Sequence, residues 1–457
     1  MPGTNTLQTC WDEHLLGTAT GRQLSIDLAE RLDAMMSIGP YRHPEGPVPI
    51  RPVLITSERG RELEEASIRL LDLVDRTCRA HASSVAELAD RVGYTRPTVS
   101  LLSDNPAQNR AVLGMARPDV VISGGAPKFV ECNIDSALAG PEQIALLNGF
   151  FRDTVRSTGW EWLDDKRVGV PDSLRARSQL AVDSAKARGV DRPEIRVLGW
   201  SAEGFGSERY FSDVISDLAG RGVSCEFALP GDLDFSTFLT HRGRRVDVVL
   251  RMFTTGEAAE EGLDLTPLAR STETDTALTL SPELGTLYTS KRVLAWLSES
   301  ADELSSADRE FVDTYLAWTR VVSDTEVTWK GDRVGLLKLL RTNRNGFLLK
   351  PFDQRGGAGC VVGRDVEESE WEDALESAVA NGRYVAQEFW PPDPINVPVF
   401  HHGDGEVRSI SAASVFSPII FGRRLSGVLV RHTNVSTTSI VNGVRGGVMN
   451  TAWTVSS

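Results

Sequence analysis

Apolar residues recur at helical spacing through most of the first 110 residues of the chain. Segments such as RQLSIDLAERLDAMMS and RELEEASIRLLDLVDRTCR place apolar side chains three and four residues apart, which is typical of amphipathic helices. The segment YRHPEGPVPIRP breaks this pattern with prolines and a glycine, and we interpret it as a loop. The pattern predicts a helical N-terminal region over residues 1–110.

Between residues 166 and 280, short apolar runs alternate with helical segments. The runs RVGVP, EIRVLGW, SCEFALP and RVDVVLRMF have the composition of strands, and the segments between them that of helices. This alternation predicts a Rossmann-like parallel sheet covered by helices. The segment GWSAEGFG lacks the three-glycine dinucleotide fingerprint, so we interpret it as a strand-to-helix loop.

Residues 281–392 mix helices and strands. A helix is predicted to begin near Lys291, and NGFLLKPFDQRGGAGCVVGRD predicts a strand ending near Lys350, a glycine-rich turn and a second strand. The segments EESEWEDALESAVANG and RYVAQEFW add a helix and a further strand. Residues 393–457 alternate strands and turns, and we expect them to complete the core.

The stretch ARPDVVISGGAPKFVECNIDSALAGPEQ predicts a hairpin followed by a helix, which together occupy residues 111–165. Its two apolar runs flank GGAP, whose glycines and proline indicate a reverse turn. Side chains alternate between the two faces of a strand, so the second strand should present two distinct sets. One set is Glu131, Asn133 and Asp135, and the other is Val130, Cys132 and Ile134.

Pairing across this turn would bring Asp119 near Glu131 and Asn133. Two carboxylates and an amide oxygen suit Mg²⁺, a hard cation that often contacts protein through few carboxylates and substrate phosphates. The alternative is the solvated face of an ordinary edge hairpin, where alternating polar residues are common. The hairpin alone leaves both interpretations open, but the first predicts a nucleotide ligand.

The glycine-rich turn is a candidate phosphate site. Gly356, Gly357 and Gly359 would let backbone N–H groups approach a phosphate, and Lys350 would place an ammonium group beside it. The turn is not a Walker loop, because the Lys-Ser/Thr pair and the following helix are missing. A flexible turn beside a surface lysine is the alternative.

Composition narrows the class of protein. The chain has 457 residues, which predicts two or three domains, and its 41% hydrophobic and 25% charged residues are typical of a soluble globular enzyme. A net charge of -14 disfavours nucleic-acid binding. We see no signal peptide and no apolar run of membrane-spanning length, and the five scattered cysteines lack metal-ligand spacing. We therefore expect a cytoplasmic protein without membrane or nucleic-acid partners.

The order of the motifs resembles a known family. A lysine at a helix start, a strand lysine followed by a glycine flap, and the acidic strand YVAQEFW resemble the ATP-grasp ligases. The R-x-D and E-x-N-x-D motifs precede the lysines, as in the synthetase domain of glutathionylspermidine synthetase and its circularly permuted relatives. The resemblance covers residues 117–145 and 281–392. It implies a mixed α/β (α+β) ATP-grasp fold with circularly permuted motifs, in which 281–392 form the lid and phosphate flap.

The resemblance also implies roles for individual residues. A set of three oxygen-bearing residues would bind two Mg²⁺ ions, for which Mn²⁺ could substitute. Arg117 would lie beside the transferred phosphoryl group, unless its role is only an ion pair with Asp119. Glu388 would border adenosine unless it is simply an exposed strand residue. The metal set is Asp119, Glu131 and Asn133, and the ATP set is Lys291, Lys350, Gly356, Gly357, Gly359, Gln387, Glu388 and Phe389.

The implied function is an ATP-dependent carboxylate-amine ligase that works through an acyl phosphate and makes a small peptide or specialised metabolite. A small-molecule kinase and a non-catalytic nucleotide-binding protein are the alternatives. The partners would be a small carboxylate and an amine, and a homo-oligomer is compatible with the sequence. Candidates to bind the second substrate are Asp135, Arg355 and Arg431, although either arginine could equally lie on the surface.

Overall fold

A computed structural model of the chain describes residues 4–36, 47–134, 140–157, 168–204, 206–354, 356–401, 403–434, 439–441 and 447–456. Its strands form one large mixed sheet, one parallel sheet and three smaller antiparallel sheets, with helices packed between and around them. The described residues therefore form a mixed α/β fold.

The strands are numbered in chain order. They are β1 (Val48–Pro49), β2 (Val53–Thr56), β3 (Met115–Ser123), β4 (Ala126–Asn133), β5 (Val168–Gly169), β6 (Glu194–Leu198), β7 (Ser224–Ala228), β8 (Leu233–Phe235), β9 (Leu239–His241), β10 (Arg244–Arg245), β11 (Val248–Arg251), β12 (Leu278–Leu280), β13 (Thr319–Val321), β14 (Glu326–Trp329), β15 (Asp332–Gly335), β16 (Phe347–Pro351), β17 (Val361–Val362), β18 (Tyr384–Glu388), β19 (Ile395–His401), β20 (Glu406–Phe421), β21 (Arg424–Asn434) and β22 (Val448–Val455).

The helices are numbered in the same way. They are α1 (Thr4–Gly17), α2 (Ala19–Met36), α3 (Ser57–His81), α4 (Val85–Val92), α5 (Pro106–Asn109), α6 (Pro141–Ser157), α7 (Ser173–Ala187), α8 (Ser212–Gly220), α9 (Thr255–Glu260), α10 (Thr266–Thr274), α11 (Leu284–Tyr288), α12 (Lys291–Glu299), α13 (Ser306–Tyr315), α14 (Leu336–Thr342) and α15 (Glu368–Asn381). Within the described ranges, no helix is both long and apolar enough to cross a bilayer.

The large sheet is the centre of the structure. Its order is β1-β19-β20-β21-β22-β2, with β3 and β4 continuing beside β20 and with β5 beside β22. One face packs against α3, where Leu63 and Leu70 join Phe416 and Val430 in one apolar cluster. On the other face, α6 and α7 contact β20, β21 and β22. Because both faces are covered, successive residues are buried over 412–421 of β20 and 426–433 of β21.

The predicted parallel sheet is present. Its order is β12-β11-β6-β7, and all three neighbouring pairs are parallel. The run RVGVP was wrongly assigned to it, because β5 instead pairs antiparallel with β22 of the large sheet. Its apolar composition predicts a strand, but composition cannot select the partner of so short a strand.

The N-terminal region contains helices α1 to α5, and α2 and α3 account for the two predicted helical segments, but the region is not only helical. Strand β1 pairs antiparallel with β19, and β2 pairs parallel with β22, so the region contributes two strands to the large sheet. Part of the segment interpreted as a loop is therefore β1. These strands are short and flanked by prolines, and their partners lie more than 300 residues away, as in the Arg51–Asn396 contact with its separation of 345 residues.

Strands β13, β18, β16 and β17 form a four-stranded antiparallel sheet, which we call the flap sheet because it carries the glycine-rich turn. Helix α15 packs against it, with Trp371 and Leu375 in the same apolar cluster as Phe347. The strand, turn, strand, helix and strand predicted for residues 345–390 are all confirmed.

Helix α11 lies unusually close to the end of β4. A Cβ atom added at Gly285 would be 2.1 Å from the carbonyl oxygen of Ile134, and Thr289 Oγ1 accepts a hydrogen bond of 2.9 Å from Ile134 N. Only glycine allows this approach, which fixes the hairpin immediately after Asn133.

We expect Gly285→Ala to lower the free energy of unfolding by about 1–3 kcal/mol, because the new methyl group overpacks a buried contact. Gly149→Ala in α6 is the control, since a Cβ atom there meets nothing within 4 Å. It should be neutral or should stabilise the protein by up to about 1 kcal/mol, because alanine favours helix. Urea unfolding of both variants measures the difference, and equal stabilities would contradict the proposed close contact.

Candidate active site

The hairpin of β3 and β4 brings the predicted polar residues together. Asp119 lies directly opposite Glu131, and Arg117 lies opposite Asn133. Asn133 Nδ2 also donates a hydrogen bond of 3.1 Å to the carbonyl oxygen of Arg117. The predicted proximity of Asp119 to Glu131 is therefore confirmed.

A bulge in β4 changes the faces that simple alternation predicts. The pairing shifts between Asp119 and Val120, which leaves Val130 as the extra residue on β4. Val130 therefore lines the same cleft as Glu131, whereas alternation placed it on the opposite side. Cys132 and Ile134 are buried in the core, as expected. The bulge also leaves the Val130 carbonyl free of the ladder, and it accepts a hydrogen bond of 3.1 Å from Lys350 Nζ.

Lys291 is the first residue of α12 and is buried. Its Nζ lies 3.0 Å from Glu131 Oε1 and donates a hydrogen bond of 2.8 Å to the carbonyl oxygen of Gln354. Burial would raise the pKa of Glu131, but attraction to Lys291 and to Lys350, together with the hydrogen bond from Lys291, outweighs it and holds that pKa below its ordinary value. Glu131 is therefore charged at neutral pH.

Lys350 lies on β16 and is also buried. Its Nζ donates a hydrogen bond of 2.7 Å to Gln387 Oε1, and Gln387 Nε2 in turn donates to Thr319 Oγ1 at 3.0 Å. Burial lowers the pKa of Lys350, although the neighbouring Glu131 carboxylate opposes this effect. The predicted surface-lysine alternative is therefore wrong for Lys350, and Gln387 orients this lysine.

The glycine-rich turn joins β16 to β17. Gly356, Gly357 and Gly359 all have positive φ values, of 64°, 73° and 67°, which residues with a Cβ rarely adopt. Gly357 and Cys360 line the cleft, and Cys360 N donates a hydrogen bond of 3.2 Å to Gly357 O. The predicted turn is confirmed, and phosphate binding by it stays a prediction.

Asp119 is buried and paired with Arg431 of β21. Arg431 Nη2 lies 2.7 Å from Asp119 Oδ2, while Ser417 Oγ donates to Oδ1 at 2.8 Å and accepts from Arg431 Nη2 at 2.9 Å. Arg117 Nε is 3.9 Å from Oδ1, so its predicted ion pair with Asp119 is present. Burial would raise the pKa of Asp119, but attraction to Arg431 and then to Arg117 outweighs it and lowers the pKa.

Of the three residues predicted to bind the second substrate, only Arg431 lies within the described part of the chain. Arg431 is buried, which excludes the surface alternative, and its guanidinium group faces Asp119. Asp135 and Arg355 lie outside the described residues, so their assignments stay predictions.

The end of β18 supplies the residues expected near adenosine. Glu388 is half-buried, which argues against the exposed-strand alternative, and it accepts a hydrogen bond of 3.2 Å from Trp390 Nε1. Burial raises the pKa of Glu388. The backbone N–H of Phe389 donates to Gly346 O at 2.8 Å, which ties the end of β18 to the start of the flap sheet.

These residues surround one cleft of about 800 Å³, including its mouth to solvent. Part of its wall is an apolar cluster, and part is a charged cluster joined by the ion pairs described above. Arg117 and Asn133 form the second cross-strand pair beyond Asp119 and Glu131 and do not line this cleft. The apolar part contains Val121, Val130, Trp390, Val415 and Val441, and the charged part contains Asp119, Glu131, Lys291, Lys350 and Arg431.

The oxygen donors of the hairpin fit a hard cation. Asp119 and Glu131 keep charged carboxylates at directly opposed positions in one cleft. Within the described ranges, no group of three His, Cys, Asp or Glu side chains could hold a metal ion. A metal at this place would therefore rely on two carboxylates, an amide oxygen and oxygens of its ligand, which is the pattern typical of Mg²⁺.

Sequence reasoning missed Ser417, Thr319 and Trp390. Ser417 stands in the apolar run VFSPIIF, and a buried serine in such a run is a signal that could have been followed. Thr319 and Trp390 give no comparable signal, because their roles depend on which strands lie beside them.

No family model matches the chain, and no curated protein matches it. Among solved structures, it is similar to the apoform of a glutathione synthetase-like effector from Globodera pallida, with 12% identity, a TM-score of 0.61, and coverage of 95% of this chain and 96% of that one. A provisionally assigned gamma-glutamylcysteine synthetase from Methylobacillus flagellatus KT also has 12% identity, with 89% of each chain covered and a TM-score of 0.39. The first likeness shows that the protein has the fold of a glutathione synthetase-like protein.

Proposed function

We propose that the protein is an ATP-dependent ligase that joins a carboxylate to an amine and releases ADP and phosphate. The observation that carries the proposal is a single cleft in which two carboxylates, two lysines and an arginine adjoin an apolar wall. A nucleoside triphosphate needs both kinds of surface, because its base is apolar and its phosphates are anionic. The likeness in fold to a glutathione synthetase-like effector supports a synthetase-like ligase of this general kind.

The two lysines would bind the α- and β-phosphates. Both are buried, and their ammonium groups are met by Glu131, Gln387 and backbone carbonyl oxygens. Phosphate oxygens would add charge-assisted hydrogen bonds to these donors. The backbone N–H groups of Gly356, Gly357 and Gly359 would cover the γ-phosphate.

Asp119 and Glu131, with the amide oxygen of Asn133, would hold two Mg²⁺ ions, and Mn²⁺ would be a substitute. When bound, Mg²⁺ offsets the charge of the phosphates and orients the γ-phosphoryl group. The pKa values of both carboxyl groups are lowered, so the protein offers both as anions at neutral pH.

The reaction then needs only positioning and charge neutralisation from the chain. A substrate carboxylate oxygen attacks the γ-phosphorus, and the bond between that phosphorus and the bridging oxygen breaks. The products of this step are ADP and an acyl phosphate. An amine nitrogen attacks the acyl carbon, the carbon–oxygen bond to phosphate breaks, and the nitrogen gives its proton to the departing phosphate or to solvent. Arg117 would hold the phosphoryl oxygens during transfer.

The apolar wall and the end of β18 would bind adenosine. Phe389 and Trp390 offer aromatic surface beside Val121 and Val415, and Glu388 would accept hydrogen bonds from ribose. We propose that the second substrates are a small acid and a small amine, as in the assembly of a peptide or specialised metabolite.

A product assay tests the proposal. The protein is incubated with MgATP, pooled amino acids and hydroxylamine, and ADP, AMP and hydroxamates are resolved by mass spectrometry. ADP with a hydroxamate supports an acyl phosphate and names the acid. AMP would overturn the mechanism, ADP with a stable phosphorylated product would favour a kinase, and nucleotide binding without turnover would favour a non-catalytic protein.

A further inference from the structure

The segment between β18 and β19 connects the flap sheet to the large sheet. It consists of residues 389–394, and three of these are prolines, which restrict the backbone. Phe389, Trp390 and Pro392 line the cleft, so the segment is also part of the candidate active site. We call it the linker.

Asp393 ties the linker to the turn of the β3–β4 hairpin. Gly124 N donates to Asp393 Oδ1 at 2.8 Å, and Gly125 N donates to Oδ2 at 2.7 Å. The N–H of Asp393 itself donates to the carbonyl oxygen of Ile122 at 2.7 Å. Three hydrogen bonds, two of them to a charged acceptor, therefore join one residue to one turn.

The turn has the conformation that this contact requires. Gly124 and Gly125 have φ values of 58° and 77°, so both central residues are left-handed, as in the tight turns that best join two strands. Both glycine N–H groups reach the same carboxylate. Both oxygens of Asp393 are thus engaged at the tip of the hairpin, which by strand rise lies roughly 15 Å from Asp119.

A second contact holds the linker along β4. Lys128 Nζ lies 4.5 Å from the centre of the Trp390 ring, and the same ring donates its Nε1–H to Glu388. The linker is consequently attached to the hairpin at two points, one on each side of Pro392.

We propose that Asp393 is a positioning residue that fixes the linker and the end of β18 relative to the hairpin, and so holds the two parts of the cleft at a set separation. The linker and β18 carry Phe389 and Glu388, while the hairpin carries Asp119 and Glu131, and Asp393 joins these two bodies. A nucleotide that spans both gains affinity from a preformed separation. The proposal rests on the proposed function, since it needs a nucleotide in this cleft.

The test compares MgATP affinity and exchange of the backbone amides of residues 122–126 in three proteins. Asp393→Ala should raise the dissociation constant for MgATP about tenfold, with faster exchange at the turn, because both charged hydrogen bonds are lost. Asp393→Asn keeps one acceptor oxygen and should show an intermediate loss of about threefold. Asp404→Asn is the control, because Asp404 also caps a turn, through Glu406 N at 3.0 Å, but lies outside the cleft.

The outcomes separate the two proposals. Wild-type protein that does not bind MgATP would overturn the proposed function and, with it, the nucleotide role of Asp393. Wild-type protein that binds MgATP, with Asp393 variants no weaker than Asp404→Asn, would overturn the positioning role alone. If Asp393→Ala does not fold, the graded loss in Asp393→Asn decides.

Discussion

Glu131→Gln is expected to reduce MgATP-dependent ADP formation by about 100-fold or more, because it removes an anionic ligand from the proposed magnesium site. Glutamine has nearly the same shape, so the strand pairing with Asp119 should survive. Lys291 would lose its carboxylate partner at 3.0 Å, which further changes the charge of the cleft. Steady-state ADP release measures the effect.

Glu194→Gln is the matched control for this variant. Its carboxylate is 23% exposed, compared with 22% for Glu131, and it is also paired with a cation, Arg244, but it belongs to the parallel sheet. The control should keep wild-type turnover. Turnover of Glu131→Gln within twofold of the control would contradict the metal assignment.

Arg431→Met is expected to lower the free energy of unfolding by about 3–5 kcal/mol, because it leaves the Asp119 carboxylate charged and buried without its main partner. The exposed fractions of the two side chains are 10% and 7%, so solvent cannot replace the lost contact. Urea unfolding at neutral pH measures the loss.

The double variant Asp119→Asn/Arg431→Met supplies the control. Removing both charges also removes the unpaired anion, so the double variant should be more stable than Arg431→Met alone. The losses in the free energy of unfolding of the two single variants should therefore not add up to the loss of the double variant. Additive costs, or a loss below about 1 kcal/mol in Arg431→Met, would show that the pair does not hold this part of the cleft.

Local pattern predicted much of the fold. The hairpin, the parallel strands and the strand-turn-strand of the flap sheet follow from apolar runs punctuated by glycine and proline, which are properties of neighbouring residues. Local pattern does not predict that β5 and β2 both pair with β22, because each pairing joins segments hundreds of residues apart. The permuted order of motifs remains a prediction.

The candidate site likewise has features that the local sequence predicts and features that depend on distant strands. The juxtaposition of Asp119 and Glu131 could be predicted, since one turn sets it. The bulge at Val130 could not, because no residue in VECN requires one. Nor could the partners Arg431 and Ser417 of Asp119, which depend on how β20 and β21 pack against β3.

The separation of Asp119 from its partners also has a consequence for biosynthesis. Ser417 follows Asp119 by 298 residues, and β20, the strand that pairs with β3, belongs to the same late segment. At roughly 5–20 residues per second, the ribosome needs roughly 15–60 s to synthesise the 298 residues that lead from Asp119 to Ser417. Throughout this interval the nascent hairpin lacks the strand that pairs with β3 and the Ser417 and Arg431 side chains that contact Asp119, so this part of the site can form only after β20 and β21 have been synthesised.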